Sequence, residues 1–198
     1  EILAKEFYSN INDYLRGSKR QINYLRKIHN LDDTLINKVF ENQANKDFFP
    51  TPEHCLKKFT WNMTDKLLEG TAGLGSVVYY LRKNQPNMKV VANEIDENFS
   101  KVIKQYNPTI KTTTEDFLKI KPNNEYDGIF LNPPFRRFGR VGKKYGGKGG
   151  SQRFYMEFLF KALTLLKNLG QGYQKTIYFI SPDIVKNKGD KVMTEKDL

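Results

Sequence analysis

From Glu1 to about Asn45 the apolar residues recur at helical spacing: Leu3, Phe7, Ile11 and Tyr14, then Ile22, Leu25 and Ile28, then Leu35, Ile36, Val39 and Phe40. That period predicts two or three amphipathic helices with a packing role. Gly17-Ser18 breaks the first from the second, and Leu31-Asp32-Asp33 supplies an N-cap for the third. Beyond residue 60 the pattern changes to short apolar runs, which predict strands at Lys66 to Glu69, Lys89 to Ile95, about Ile110 to Thr114, Gly128 to Leu131, and Lys175 to Pro182. Between them, Val77 to Leu81, Asn98 to Tyr106 and about Gln152 to Asn168 read as helices. Strands that alternate with helices imply a parallel α/β sheet.

The prolines sharpen the fourth strand. Ile129-Phe130-Leu131 runs into Asn132-Pro133-Pro134-Phe135, and a central strand tolerates no proline because the ring removes a ladder donor. The strand therefore stops at Asn132, and Pro134 pushes the residue before it toward extended geometry, leaving a stiff arm that carries Phe135 past the sheet edge. A strand that merely ends in prolines is the plainer alternative.

At 198 residues the chain is long enough for one well-buried core. Its formal net charge of +11 favours a polyanionic partner, nucleic acid ahead of an acidic membrane surface, over a basic surface that is simply solvated. A single cysteine, Cys55, excludes a disulfide framework and suits a reducing, cytoplasmic compartment. His29 and His54 have no partners at ligand spacing, so no zinc site is expected and both read as ordinary helix residues. No apolar run reaches the ~18 residues of a membrane span, and no signal segment opens the chain. The first residue is Glu1 rather than Met, as expected of a fragment.

Four further segments carry candidate chemistry. Phe48-Phe49-Pro50-Thr51-Pro52-Glu53 reads as a helix start with Thr51 as N-cap and Pro52 at the first helical position. Its two rings form a hydrophobic staple or stand beside a ligand. Glu69-Gly70-Thr71-Ala72-Gly73-Leu74-Gly75 joins a strand to a helix, the first half of a nucleotide-binding βαβ unit, although the glycine spacing departs from the dinucleotide fingerprint and a tight turn alone would explain it. Glu94-Ile95-Asp96 puts carboxylates at the tip of the second strand, where they either accept ribose hydroxyls or cap the next helix. Glu115-Asp116-Phe117 follows the third strand with a carboxylate and a ring.

Past Phe135 the composition changes abruptly. Arg136, Arg137, Arg140, Lys143, Lys144, Lys148 and Arg153 lie among six glycines with Phe138 and Tyr145 interleaved and no acidic residue. The segment reads as a phosphate-contacting arm that orders on binding, or as a basic insertion.

In combination these segments resemble the class I S-adenosylmethionine-dependent methyltransferases, specifically the amino-methyltransferases that modify adenine N6. The resemblance runs from about Phe48 to Pro182. Phe49-Pro50-Thr51-Pro52 is similar to the family's first cofactor segment, Leu68 to Gly75 to its glycine-rich loop, Asn93-Glu94-Ile95-Asp96 to its ribose-binding tip, Glu115-Asp116-Phe117 to its adenine-framing segment, and Asn132-Pro133-Pro134-Phe135 to its catalytic motif, in which Asp or Asn precedes Pro-Pro and an aromatic residue. Glu69 and Gly70 replace the commoner Asp-Pro opening, and no sixth or seventh strand follows the fifth.

The resemblance implies a Rossmann-like parallel sheet ordered 3-2-1-4-5, possibly truncated before strands 6 and 7, in a domain spanning 47–198 that carries an N-terminal helical appendage, 1–46. It implies S-adenosyl-L-methionine as cofactor, held by Phe49, Thr51, Glu69, Gly70, Gly73, Gly75, Glu94, Ile95, Asp116, Phe117 and Asn132. Asn132, Pro133, Pro134 and Phe135 would act on the amine; Phe135, Arg136, Arg137, Lys143 and Lys144 would meet the substrate, with DNA favoured over RNA and no metal required. An exocyclic amine is a poor nucleophile because its lone pair is delocalised. The side-chain oxygen of Asn132 and the carbonyl of Pro133 would hold the amine hydrogens so as to free that pair, while Phe135 stacks on the base. Transfer to guanine N2 or to a protein glutamine, or a catalytically idle nucleic-acid-binding subunit that needs a partner, are the alternatives.

Overall fold

A computed structural model describes residues 1–15, 19–44, 48–61, 66–123, 125–134, 155–166 and 175–180. Three helices open the chain, α1 (Ile2–Leu15), α2 (Lys19–Ile28) and α3 (Asp33–Ala44), followed by a single turn, α4 (Glu53–Leu56). Then come β1 (Lys66–Glu69), α5 (Ser76–Asn84), β2 (Lys89–Asn93), α6 (Glu97–Tyr106), β3 (Lys111–Thr113), a 3-10 turn (Phe117–Lys119), β4 (Gly128–Leu131), α7 (Tyr155–Leu165) and β5 (Thr176–Phe179). The strands form one sheet in the order β3-β2-β1-β4-β5, every neighbouring pair parallel. This is the Rossmann-like arrangement expected from the sequence.

A parallel sheet covered by helices on both faces needs strands that are apolar on both sides. The alternation along each strand sorts them cleanly. Leu67, Val90, Ala92 and Phe130 pack with Val77, Val78 and Leu81 of α5 and Ile103 of α6. Their immediate neighbours Leu68, Val91, Ile129 and Leu131 face the other way, onto Phe117 and onto Phe158, Ala162 and Leu165 of α7. The register places Leu68 between Val91 and Ile129 at the centre of the sheet.

The N-terminal helices have a core of their own that closes against the rest of the chain. Phe7 and Ile11 of α1 and Leu35, Ile36 and Val39 of α3 pack with Phe48, Leu74, Phe99 and Tyr106. The Phe7 and Tyr106 rings stack at 4.7 Å. Asp32 caps α3 as expected, accepting from the Leu35 N–H at 2.7 Å. His29 lies just past α2 rather than within a helix; it is buried, with Nδ1 2.7 Å from the Tyr106 hydroxyl. Among the described residues no helix is long and apolar enough to cross a membrane.

Candidate functional site

The carboxyl ends of β1, β2 and β3 are stitched together by one side chain. Asn93, the last residue of β2, donates through Nδ2 to the carbonyls of Gly70 (3.1 Å) and Glu115 (3.0 Å) and accepts through Oδ1 from the Glu115 N–H (3.1 Å) and the Thr113 hydroxyl (2.9 Å). All four hydrogen-bonding positions of the buried amide are engaged, so the three loops that leave these strands keep a fixed spacing. The sequence signal for this residue is a polar side chain closing the apolar run Val90-Val91-Ala92.

Over those ends lies a cavity of about 440 Å³. Its wall includes Phe49 and Thr51 ahead of α4, Glu69 at the end of β1 with Gly70 and Gly73 of the loop that follows, Glu94 and Ile95 after β2, Asp116 and Phe117 after β3, and Asn132 and Pro134 after β4. The structure thus brings together five segments spread over more than eighty residues. Pro133 is buried. Gly75 lies behind the turn: it has φ +88 at the start of α5, and a Cβ there would stand 2.9 Å from the Tyr8 hydroxyl and 3.1 Å from Ile103. Phe135, Arg136, Arg137, Lys143 and Lys144 lie outside the described residues.

The turn after β1 hugs its neighbours. A Cβ at Gly70 would meet the Phe117 ring at 2.4 Å and Leu131 at 2.8 Å, and Gly73, at φ +56, would place one 2.6 Å from the Phe48 ring. Only glycine suits such approach in the left-handed region. Phe48, buried and edge-on to Phe99 at 5.0 Å, therefore covers the turn, while Phe49 is half exposed at the cavity mouth. Phe117 is itself held by a parallel stack on Phe158 of α7, at 5.6 Å and 6°.

Two buried carboxyls floor the cavity. Glu94 accepts from the Gly73 N–H at 2.7 Å through Oε2 and from the Asp96 N–H at 2.9 Å through Oε1. Burial outweighs these bonds and pushes its carboxyl up to about 7. Glu69 is raised well above the usual carboxylate range, first by burial and then by the charge of Glu94, and its Oε2 has no hydrogen-bond partner. Of the alternatives left open at the tip of β2, the capping role falls to Asp96 and not to Glu94: Asp96 caps α6 by accepting from the Asn98 and Phe99 N–H groups. Asp116 similarly caps the 3-10 turn through the Leu118 N–H at 3.1 Å.

Thr51 departs from the expected role of helix cap. α4 is one turn long with Pro52 before it and no side-chain cap bond. The Thr51 hydroxyl instead accepts from Asn132 Nδ2 at 3.0 Å, and Nδ2 also donates to the Phe49 carbonyl at 2.9 Å. The Asn132 N–H donates to the Thr71 hydroxyl at 3.2 Å. Thr51 stands one position ahead of the N-cap, Pro52, so its hydroxyl serves the donor at the end of β4 instead.

Sequence reasoning missed three contributors. Lys38 of α3 pairs with Asp96 at the cavity wall, so the N-terminal helices supply a charged group and not only packing. Tyr8 of α1 donates to the Leu74 carbonyl at 2.7 Å and anchors the glycine-rich turn from behind. Phe158, read from its spacing as a helix-face residue, also lines the cavity. Among the described residues no group of three or more His, Cys, Asp or Glu is placed to hold a metal ion.

The strand order and the position of the cavity define a Rossmann-like α/β domain with a cavity over the carboxyl ends of its first strands, where such folds place their ligands. No family model matches the chain, and no curated protein matches it. Among solved structures it is similar to a provisionally assigned RNA methyltransferase of Pyrococcus horikoshii, with 18% identity and a TM-score of 0.45 over 71% of this chain and 67% of that one. It is also similar to TYW2 of P. horikoshii in complex with MeSAdo (16% identity, TM-score 0.37, 57% of this chain and 43% of that one). A third is the O-methyltransferase from a Brevibacillus brevis multienzyme in complex with S-adenosyl-L-homocysteine (23% identity, TM-score 0.32, 37% and 27%). The chain thus spans 27% to 67% of the length of these three proteins.

Proposed function

We propose that this chain binds S-adenosylmethionine in the cavity over β1, β2 and β3 and transfers its methyl group to an exocyclic amine, the N6 amine of adenine in nucleic acid. The observation that carries the reading is the shared wall: Asn132 and Pro134 border the same cavity as Glu69, Gly73, Glu94 and Phe117. A cofactor seated against the acidic floor would lie next to an amine seated against Asn132.

The residues suit that cofactor. A volume of about 440 Å³ falls within the roughly 300–1,000 Å³ of small-molecule sites. The Glu94 carboxylate keeps lone-pair capacity beyond that taken by the Gly73 and Asp96 N–H groups, which fits a ribose hydroxyl. Glu69, buried with an unpartnered oxygen in the wall, fits the positive end of a zwitterionic or sulfonium ligand, whose charge would favour the ionised carboxyl. Gly70 and Gly73 let Phe117, Leu131 and Phe48 close on the turn that borders the cavity. When bound, S-adenosylmethionine supplies an electrophilic methyl group.

The chain's own groups then act on the amine. Asn132 Oδ1 accepts one amine hydrogen and the Pro133 carbonyl accepts another, which localises the lone pair for attack. Phe135 stacks on the extruded base. The net charge of +11 and the basic run from Arg136 to Arg153 support a nucleic-acid substrate, with DNA favoured. Calorimetry with S-adenosylmethionine tests the cofactor. Methyl transfer to a panel of DNA and RNA, with the modified base identified by mass spectrometry, tests the substrate. Absence of cofactor binding, or methylation of guanine or of a protein glutamine alone, would overturn the corresponding half of the proposal.

A further inference from the structure

A side-chain amide has a donor end and an acceptor end of nearly equal size, and the two exchange by a half-turn about the last bond. At Asn132 a carbonyl decides which end faces where. The Phe49 carbonyl can only accept, so the atom 2.9 Å from it must be nitrogen, and the second N–H goes to the Thr51 hydroxyl at 3.0 Å. Both amide hydrogens are spent on this one segment. Oδ1 has no hydrogen-bond partner among the described residues, and the residue lines the cavity. The backbone is pinned from another side by Thr71.

We propose that the Phe49 carbonyl and the Thr51 hydroxyl are positioning groups that lock the Asn132 amide with its oxygen toward the substrate amine, so that position 132 of this chain requires an amide and rejects a carboxylate. The inference deepens the amine-methylation reading and rests on it. A carboxylate at position 132 has no hydrogen to give. The Thr51 hydroxyl can turn and donate to it, but the Phe49 carbonyl cannot, and two acceptors would face one another at hydrogen-bond distance. The motif that this chain resembles admits Asp or Asn; the carbonyl of Phe49 decides between them here. A protonated carboxyl would restore the pattern, with its O–H donating to Phe49 and its other oxygen turned to the amine.

Asn132→Asp is therefore measured beside the parent from pH 5 to 8, for methyl transfer and for thermal stability without ligands. The variant-to-parent rate ratio should fall about tenfold for each pH unit once the new carboxyl ionises. The melting temperature of the variant relative to parent should fall over the same range. A ratio and a melting difference that are both flat with pH would overturn the proposal. Thr51→Val and Thr51→Ser serve if Asn132→Asp does not fold. Loss of one of two anchors should lower kcat in Thr51→Val by roughly tenfold relative to Thr51→Ser, which keeps the hydroxyl; equal kcat in the two would overturn it. If the parent methylates no amine, the functional reading falls, and the pH dependence of the Asn132→Asp melting temperature still decides the positioning claim.

Discussion

Glu94 accepts a hydrogen bond from the backbone N–H of Gly73 at 2.7 Å, tying the tip of β2 to the glycine-rich turn after β1 across 21 positions of sequence. The bond is made by a carboxyl whose burial raises it to about 7, so the floor of the cavity changes charge within the physiological range.

That shift has a direction. In the unfolded chain Glu94 ionises near 4.5, whereas in the folded chain it holds its proton to about 7. Its contribution to stability is therefore fully present below pH 4.5 and is lost as pH rises through 7, by on the order of 3 kcal/mol. Glu69 acts in the same sense. Denaturant unfolding of the ligand-free protein from pH 4.5 to 7.5 should show a smaller decline in the Glu94→Gln variant than in the parent. Equal slopes would remove Glu94 as the source.

Cofactor affinity should separate Glu94 from its neighbour. Glu94 is buried and lines the cavity, while Glu97 is exposed on the first turn of α6. Glu94→Ala is expected to weaken S-adenosylmethionine binding about tenfold to a hundredfold, from the loss of charge-assisted hydrogen bonds, and Glu97→Ala to leave it within about twofold. Calorimetry distinguishes the two, and equal effects would cancel the ribose assignment.

Gly70→Ala tests the close packing of the turn. The added methyl would overlap the Phe117 ring and Leu131, and Phe117 has little room to retreat because it stacks on Phe158. Overpacking of this kind costs about 1–3 kcal/mol. Denaturant unfolding should report that loss together with weaker cofactor binding. A variant as stable as the parent would mean that the ring yields freely.

Asn132→Ala removes the acceptor proposed for the reacting amine. Turnover should fall about a hundredfold or more while the cofactor dissociation constant changes little, the pattern of an interaction made mainly in the transition state. Single-turnover kinetics beside calorimetry would show it. A proportional loss of cofactor binding would instead make Asn132 a binding residue.

The basic run should fail in a different way. Neutralising Arg136, Arg137, Lys143 and Lys144 would remove the proposed phosphate contacts, each expected to contribute about 0.9 to the slope of log affinity against log salt for duplex DNA. Substrate affinity and its salt dependence should both fall with the cofactor constant unmoved. If nucleic-acid binding kept its strength and salt slope, the segment would be an insertion without a substrate role.

The strands, the alternating order of strands and helices, and the ends of β1 and β4 were determined by the sequence itself. Apolar runs such as Ile129-Phe130-Leu131 and breakers such as Gly70 and Pro133 act within a few residues, and local sterics and burial are enough to place them. The glycine-rich turn and the acidic tip of β2 could likewise be read as candidates, because parallel strands deliver their carboxyl ends to one edge. Tertiary structure decided which of those candidates meet and in what role. Thr51 looked like a helix cap and became an acceptor for Asn132, 81 positions away. Lys38, on a helix that the sequence offered only for packing, reached Asp96 at the cavity wall. Asn93 read only as the first residue of the acidic tip and became the clamp on two other loops. A side chain with hydrogen-bonding capacity advertises no partner in sequence. Its partner is whichever unsatisfied group the closed sheet brings within about 3 Å, and that choice exists only once the strands are side by side.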